Sequence, residues 1–431
     1  MTATDETTTE SVDSFRARAA AWIPDHLPRI GAIGRDDPVT RRVDDDGGDP
    51  TDPVTRGKAL QRIIFDGGFA GVCYPVEYGG LGLTPAHMHA FNQECKGYEL
   101  SSLTYFGMTF GMIGPTILDF GTEDQKRRHI RGFLTGDNIW IQFLSEPTGG
   151  SDLASVLTRA DRDGDEWIVN GSKIWTSYGD VGDYGLLVAR TNWDVPKHSG
   201  ISVFICPVHT PGLEVQPLRL VTGSTGFCQE FFTDVRIPDT DRLGEVDDGW
   251  TVGTRWMFHE RNAMGGGSPY LSGTRLSELE SMGSSRDRLF AIAERNGDVT
   301  DPLARDRVGE GIVLSRASRE LSQRIGEGMA AGVFSDAAAA ITRLMSGVVG
   351  TRRATLGLEL AGPAIAASSE DDPAAFEGQW YLNRQAGSIG GGTTEMARNN
   401  ISERVLGMPR EVTHDKNMPY RDVPKGPPAK G

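Results

Sequence analysis

Hydrophobic positions change their period twice along this chain, and the changes divide it into three stretches. Over the first 138 residues, apolar positions recur at helical spacing between polar loops, which predicts helices over residues 14–22, 54–65, 85–98 and 101–120. Thr122, followed by Glu123 and Asp124 and then by basic residues, predicts a capped helix start running to Phe133. The acidic, Gly- and Pro-containing run over residues 36–53 has no periodicity and reads as a surface loop. From residue 140 to about 243 the pattern alternates as strands do, over residues 139–144, 166–169, 184–188 and 201–205, with Asp163-Gly164 and Asn170-Gly171 as turn signals. Helical spacing returns after Gly249-Trp250, over residues 251–263, 301–329, 335–360 and 393–405. Residues 421–431, with three prolines and two lysines, read as a disordered tail.

The order implies an α+β chain: an N-terminal helical domain over residues 1–138, a central β domain over 139–246, and a C-terminal helical domain with its tail over 247–431. Composition narrows the function classes. The 431 residues carry a formal charge of −15 and no basic cluster, which argues against a nucleic-acid partner. No apolar run approaches the ~18 residues needed to span a bilayer. The acidic opening MTATDETTTE lacks the layout of a targeting segment, so a cytoplasmic location is expected. Cys73, Cys95, Cys206 and Cys228 are far apart, without the spacing of a zinc site or a disulfide framework. His87 and His89, two apart on a predicted helix, face different ways and make poor joint metal ligands. Gly80-Leu81-Gly82 lacks the preceding strand and the third glycine of a dinucleotide fingerprint.

Two clusters carry the candidate chemistry. Leu144-Ser145-Glu146-Pro147-Thr148-Gly149-Gly150-Ser151 follows a predicted strand and offers backbone N–H groups and short hydroxyl donors, suited to a diphosphate or a ring edge. Asn170-Gly171-Ser172-Lys173-Ile174-Trp175-Thr176-Ser177 sets an indole that can stack on a flat cofactor beside hydroxyls that can address its edge. Taken alone, the first reads better as an ordinary polar turn and the second as a core indole.

In this order, the two clusters resemble those of the acyl-coenzyme A dehydrogenase family. Tyr74-Pro75-Val76-Glu77-Tyr78-Gly79-Gly80-Leu81-Gly82, Gly121-Thr122-Glu123-Asp124-Gln125-Lys126, Phe232-Thr233-Asp234-Val235-Arg236-Ile237-Pro238 and Leu243-Gly244-Glu245 are similar to further family stretches. So is the end of the chain, Gly391-Gly392-Thr393-Thr394-Glu395-Met396-Ala397-Arg398 through Arg410. The resemblance implies a helical domain, a β-barrel-like domain and a C-terminal helical bundle, with FAD as cofactor, an acyl-CoA substrate, and an electron-transfer flavoprotein or similar acceptor in lipid degradation. It implies that Gln142, Leu144, Ser145, Gly150 and Ser151 contact FAD, that Trp175 covers the ring, and that Thr176 and Ser177 address its N5 side. A neighbouring subunit completes the site in this family, so Arg305, with Arg307 as its rival, and Gly392, Thr393 and Glu395 would serve the partner's cofactor. A homotetramer or homodimer is implied, with a heterotetramer as the variant.

One position departs from the commonest family pattern. Many members carry a catalytic glutamate immediately before the Gly-Thr, where this chain has Gly391. Other branches place it on the helix after the β domain, and Phe258-His259-Glu260-Arg261-Asn262-Ala263-Met264-Gly265 offers Glu260 there, while the backbone N–H of Gly391 would remain as a donor to the thioester oxygen. The glycine run 265–267 that follows reads as a plain loop or as a break in this helix that leaves room for a bulky acyl group. The expected reaction is α,β-dehydrogenation of an acyl thioester. The alternatives are a non-catalytic FAD-binding subunit paired with an active homologue, and a family member with a non-thioester substrate.

Overall fold

The computed structural model describes residues 10–31, 37–265, 268–271, 285–367, 373–413 and 415–424. The chain forms two compact units, one of Met1–Leu218, Gly226–Glu278 and His414–Gly431, the other of Arg219–Thr225 and Leu279–Thr413.

The first unit begins with helices α1 (Val12–His26), α2 (Pro38–Asp45), α3 (Pro53–Asp66), α4 (Pro85–Glu94), α5 (Gly114–Phe120) and α6 (Glu123–Leu134), with side-chain caps at the starts of α1, α2, α3 and α6. Thr122 and Gln125 form a reciprocal capping box at 3.0 and 3.2 Å, and the Gln125 amide also donates to the carbonyls of Thr240 and Arg242, tying α6 to the end of the sheet. Helix α2 corrects the reading of residues 36–53 as a loop. Asp37 caps the amides of Val39 and Thr40, Pro38 occupies the first turn, and Val39, Thr40 and Val43 are buried, so a short amphipathic helix forms within an acidic stretch. The continuous helix expected over 101–120 is broken into a 3₁₀ segment Ser101–Phe106, a π segment Thr109–Ile113 and α5. The break is fixed by Thr109, whose hydroxyl exchanges hydrogen bonds with the Trp140 backbone.

Eight strands form one mixed sheet: β1 (Trp140–Phe143), β2 (Arg159–Asp163), β3 (Glu166–Ser177), β4 (Tyr184–Arg190), β5 (Ile201–Pro207), β6 (Leu213–Leu218), β7 (Phe227–Pro238) and β8 (Arg242–Leu243). They run in the order β6-β7-β3-β2-β4-β5-β8, with β1 pairing parallel to β4. Asp163-Gly164 does turn the β2–β3 hairpin, Gly164 adopting a φ of 63°. Asn170-Gly171 does not separate two strands. It lies inside β3, opposite a bulge whose extra residue is on β7, and Gly171 is needed because a Cβ there would meet Thr158 Oγ1 at 2.4 Å. Alternation sends the two faces of the sheet to different cores: Trp140, Leu186 and Val203 join Phe91, Phe133 and Trp256 among the helices, whereas Ile141, Phe143, Val169, Phe204 and Phe232 pack together.

Helix α7 (Gly249–Gly265) belongs to this unit and packs against the π segment, where an ideal Cβ on Gly111 would lie 2.9 Å from that of Ala263. The change of period at residue 247 therefore marks a change of element type within one compact body. Of the glycine run after Glu260, residues 266 and 267 lie outside the described residues. The tail is not loose where it starts: Arg421 N donates to Trp193 O, Tyr420 is 2% exposed, and its hydroxyl donates to Ser155 O at 2.6 Å; residues 425–431 lie outside the described ones.

The second unit packs helices Ser285–Arg295, Pro302–Ala330, Ala339–Ala361 and Pro373–Asn383 around Leu289, Ile292, Val308, Leu356 and Leu360. Asp301 caps the longest of them through Ala304 N at 2.8 Å. Among the described residues, no helix is long and apolar enough to cross a membrane, and no group of three or more His, Cys, Asp or Glu residues could hold a metal ion.

Candidate active site

The loop after β1 is held from inside by a charge pair. Glu146, 6% exposed, accepts from Lys173 Nζ at 2.9 Å and from the amides of Leu157 and Thr158 at 2.6 and 2.9 Å. Burial raises the Glu146 acid, but the Lys173 charge and these donors overcome it and hold the carboxyl below the usual range. Lys173 is fully buried, donates also to Leu144 O at 3.0 Å, and is itself pushed down by desolvation against the pull of Glu146. The loop between these anchors projects Gly150 and Ser151 to solvent, while Leu144 and Ser145 are half-buried and Ser145 O accepts from Ile174 N at 2.9 Å. The two sequence clusters are thus neighbouring backbones.

Trp175 is the extra residue of a bulge in β3, between pairs Ile174↔Gln229 and Thr176↔Cys228. Its φ is 67°, a conformation rarely adopted by a bulky side chain, and its indole is 55% exposed. An exposed indole held by a costly backbone conformation, with the hydroxyl residues Thr176 and Ser177 following it, is suited to stacking on a flat ligand. Thr176 is buried with its hydroxyl donating to Glu230 Oε2 at 2.7 Å, and Ser177 is half-buried beside it.

Glu260 lies on α7, one residue beyond His259, whose Nε2 is 2.8 Å from Asp119 Oδ2. Burial keeps the His259 imidazole below its usual value despite Asp119, so it stays neutral at physiological pH. The Glu260 residue is partly exposed, but its carboxyl is enclosed. Desolvation raises its pKa, opposed by the neighbouring Arg261 charge and by a hydrogen bond from the Gln142 side chain. Gln142 sits on β1, its Nε2 also 3.7 Å from Met108 Sδ, and among the described residues its buried Oε1 has no hydrogen-bond partner. The fold therefore brings together Glu260 and Gln142, 118 positions apart, beside the strand that leads into Leu144 and Ser145.

In the second unit, Gly391 and Gly392 adopt φ values of 69° and 91°, and Thr393 caps the next helix through Met396 N at 3.1 Å. Glu395 is exposed and held below the usual carboxylate range by a backbone hydrogen bond and by the Thr394 hydroxyl. Arg343 donates to Gly390 O at 2.8 Å, bracing the turn. An open cleft of about 480 Å³ lined by Thr351, Arg352, Gln385, Ser388, Thr394 and Glu395 adjoins it. The left-handed backbone at 391 also explains the residue found there, since a glutamate would be strained at that φ. Of the two rival arginines, Arg307 is engaged with Glu359 at 2.9 Å, whereas Arg305 is exposed and, among the described residues, makes no ion pair or side-chain hydrogen bond.

The supporting roles of Glu146, Lys173 and Glu230 went unread in the sequence. Strand parity carries the signal: Lys173 shares a face with buried Trp167 and Val169, and Glu230 with buried Cys228 and Phe232. A charge on an inward face needs a partner: Lys173 and Glu146 pair with each other, and Glu230 has the Thr176 hydroxyl on one of its oxygens.

Comparison with known proteins agrees across the chain. Three family models match in order: acyl-CoA dehydrogenase N-terminal domain over residues 37–137, middle domain over 142–235, and C-terminal domain over 247–406. The acyl-CoA dehydrogenase IpdE1 of Mycobacterium tuberculosis is 31% identical over 414 residues, covering 94% of this chain and 99% of its own. The short-chain specific acyl-CoA dehydrogenase of human mitochondria is 30% identical over half of this chain and 51% of its own. Among solved structures, one titled Tcur3481-Tcur3483 steroid ACAD is 27% identical with a TM-score of 0.71, covering 93% of this chain and 98% of its own. The ChsE4-ChsE5 complex of Mycobacterium tuberculosis shares the fold with a TM-score of 0.66. With helical, β and helical parts, both glycine-hydroxyl clusters and the Gly-Thr turn in family order, the chain belongs to the acyl-CoA dehydrogenases, FAD-dependent flavoprotein oxidoreductases of lipid metabolism.

Proposed function

We propose that this chain catalyses the α,β-dehydrogenation of an acyl-CoA thioester with Glu260 as the base. The observation that carries the proposal is the enclosed Glu260 carboxyl beside Gln142 on β1. Desolvation pushes its pKa up toward the range where a carboxylate accepts a proton efficiently near neutral pH. The residues around it fit a flavin: an exposed indole at 175 offers a stacking face, and the unpaired Gln142 Oε1 offers an acceptor. Bound FAD supplies the hydride acceptor for the substrate β-carbon.

The protein's part is to bind, orient and move a proton. Trp175 covers one face of the ring system, with Thr176 and Ser177 at its edge. Gln142, Leu144, Ser145, Gly150 and Ser151 present backbone and hydroxyl groups to the ring and diphosphate. Arg305, Gly392, Thr393 and Glu395 serve the cofactor of a neighbouring protomer, which makes the working enzyme an oligomer. Glu260 removes the proton from the substrate α-carbon, and the Gly391 N–H donates to the thioester oxygen as charge develops on it.

The substrate class we propose is a bulky, ring-bearing acyl thioester. Its support is the steroid ACAD among the structural relatives, together with the absence of a side chain at Gly391. The paired names of that structure and of ChsE4-ChsE5 favour assembly with a homologous second subunit, and an electron-transfer flavoprotein is the proposed acceptor. Anaerobic mixing of the purified flavoprotein with short, long, branched and steroid-like acyl-CoA thioesters, followed by flavin absorbance, tests the reading. The expected result is bleaching by a ring-bearing thioester and a loss of about 10²–10⁴ in rate for Glu260→Gln with FAD retained. Equal bleaching by Glu260→Gln would remove Glu260 as base. No bleaching by any thioester would favour a non-catalytic subunit.

A further inference from the structure

Beneath the Trp175 bulge lies a carboxyl that the proposed chemistry does not use. Glu230, directly opposite Lys173 in the β3–β7 ladder, is fully buried. Its Oε2 accepts from Thr176 Oγ1 at 2.7 Å, and among the described residues its Oε1 has no hydrogen-bond partner. That oxygen lies 2.8 Å from where a Cβ on Gly179 would stand, so residue 179 has to be small for the carboxyl to fit. The groups facing it from neighbouring elements do not neutralise it. Lys173 is committed to Glu146 at 2.9 Å and to Leu144 O at 3.0 Å. Asp180, after β3, accepts from Cys228 Sγ, whose thiol is itself pushed up to about 11 by burial. Desolvation pushes the Glu230 acid up to about 7, against the Thr176 bond and the Lys173 charge.

The Thr176 hydroxyl has one proton and two acceptors in reach, Glu230 Oε2 at 2.7 Å and Gln142 O at 3.4 Å. With Glu230 ionised, the hydroxyl donates to it. With Glu230 protonated, the acid donates to Thr176 Oγ1 and the hydroxyl proton turns to the Gln142 carbonyl. One proton on Glu230 thus acts on two backbones, that of Trp175-Thr176 and that of Gln142, whose side chain hydrogen-bonds Glu260.

We propose that Glu230 is a positioning residue whose proton sets the direction of the Thr176 hydroxyl, and through it the seat of the Trp175 bulge against the isoalloxazine ring. The proposal rests on FAD lying against Trp175. No electron or heavy atom is transferred in the step; a proton enters or leaves Glu230 from solvent, and two hydrogen bonds change direction.

The test uses FAD-loaded protein carrying Glu260→Gln, so that the base does not titrate, with flavin absorbance and visible circular dichroism followed over roughly pH 5.5 to 9. The expected result is a one-proton transition in the flavin bands centred near 7. Adding Glu230→Gln removes it with flavin still bound. Adding Thr176→Val instead also abolishes it, because the hydroxyl that carries the Glu230 proton to the bulge is gone. A transition that survives Glu230→Gln, or that Thr176→Val leaves in place, overturns the proposal, as does its absence from the Glu260→Gln protein. Where Glu230→Gln fails to hold FAD, the loss or survival of the transition in Thr176→Val decides. A wild-type protein that takes up no flavin overturns the cofactor-site reading and this proposal together, whereas flavin-loaded protein without the transition overturns this proposal alone.

Discussion

Lys173→Met is expected to destabilise the protein by about 3–5 kcal/mol near pH 7.5 and by much less at pH 5.5. The variant keeps the volume of the side chain and removes its cation, leaving Glu146 buried with only the Leu157 and Thr158 amides. In the native pair, the Glu146 carboxyl is held below its usual range, so its contribution is present above the unfolded value and is lost as pH falls through the lowered one. Without Lys173, burial dominates and the sign reverses, with stability lost as pH rises. The cheapest escape is to bury Glu146 neutral, which costs about 1.4 kcal/mol for each pH unit above an unfolded value near 4.3, hence about 4 kcal/mol at pH 7.5 and under about 2 at pH 5.5. Urea unfolding of wild type and variant at the two pH values, read by far-UV circular dichroism and flavin fluorescence, measures the difference. A loss of the same size at both pH values, or one below about 1 kcal/mol at pH 7.5, would refute the account. Adding Glu146→Gln should recover most of the loss, since no charge is then left buried.

Trp175→Ala is expected to weaken FAD retention about tenfold or more while changing the stability of the apoprotein by less than about 1 kcal/mol, because more than half of the indole is exposed; flavin release and apoprotein unfolding measure the two separately. Arg305→Ala should weaken FAD retention in the assembled enzyme without destabilising the protomer, whereas Arg307→Ala should cost under about 1 kcal/mol of stability, by loss of the Glu359 pair, and leave FAD in place; the reverse pattern would exchange their roles. Tyr420→Ala should cost about 3–5 kcal/mol and speed FAD loss, because it removes a buried ring 4.0 Å from the Arg190 guanidinium together with the hydroxyl that holds Ser155 O; thermal unfolding and flavin release rates report both effects.

What the sequence made legible is what short stretches determine by themselves. The helix start at Thr122, the Asp163-Gly164 turn and the Gly-Thr turn at 392–393 carry their geometry in adjacent residues, and the structure has them as read. The order of helical, β and helical parts follows from period alone. Helix α2 was hidden although its start signal, Asp37-Pro38, is local, because composition outweighed a short apolar pattern. The bulge at Trp175 could not be read, since it exists only relative to the register of β7, some fifty residues later. The same holds for the contacts that give Glu260 and Glu230 their chemistry: a glutamate becomes a candidate base when Gln142 and the helices around it take water away, and none of those groups is its neighbour in the chain. Family resemblance supplied Glu260 where periodicity did not, but only for a position whose role the family already fixes. Glu230 shows the complementary case. Strand parity places its charge inward with no resemblance to call on, and the structure supplies the hydroxyl and the neighbouring carbonyl through which such a charge can act.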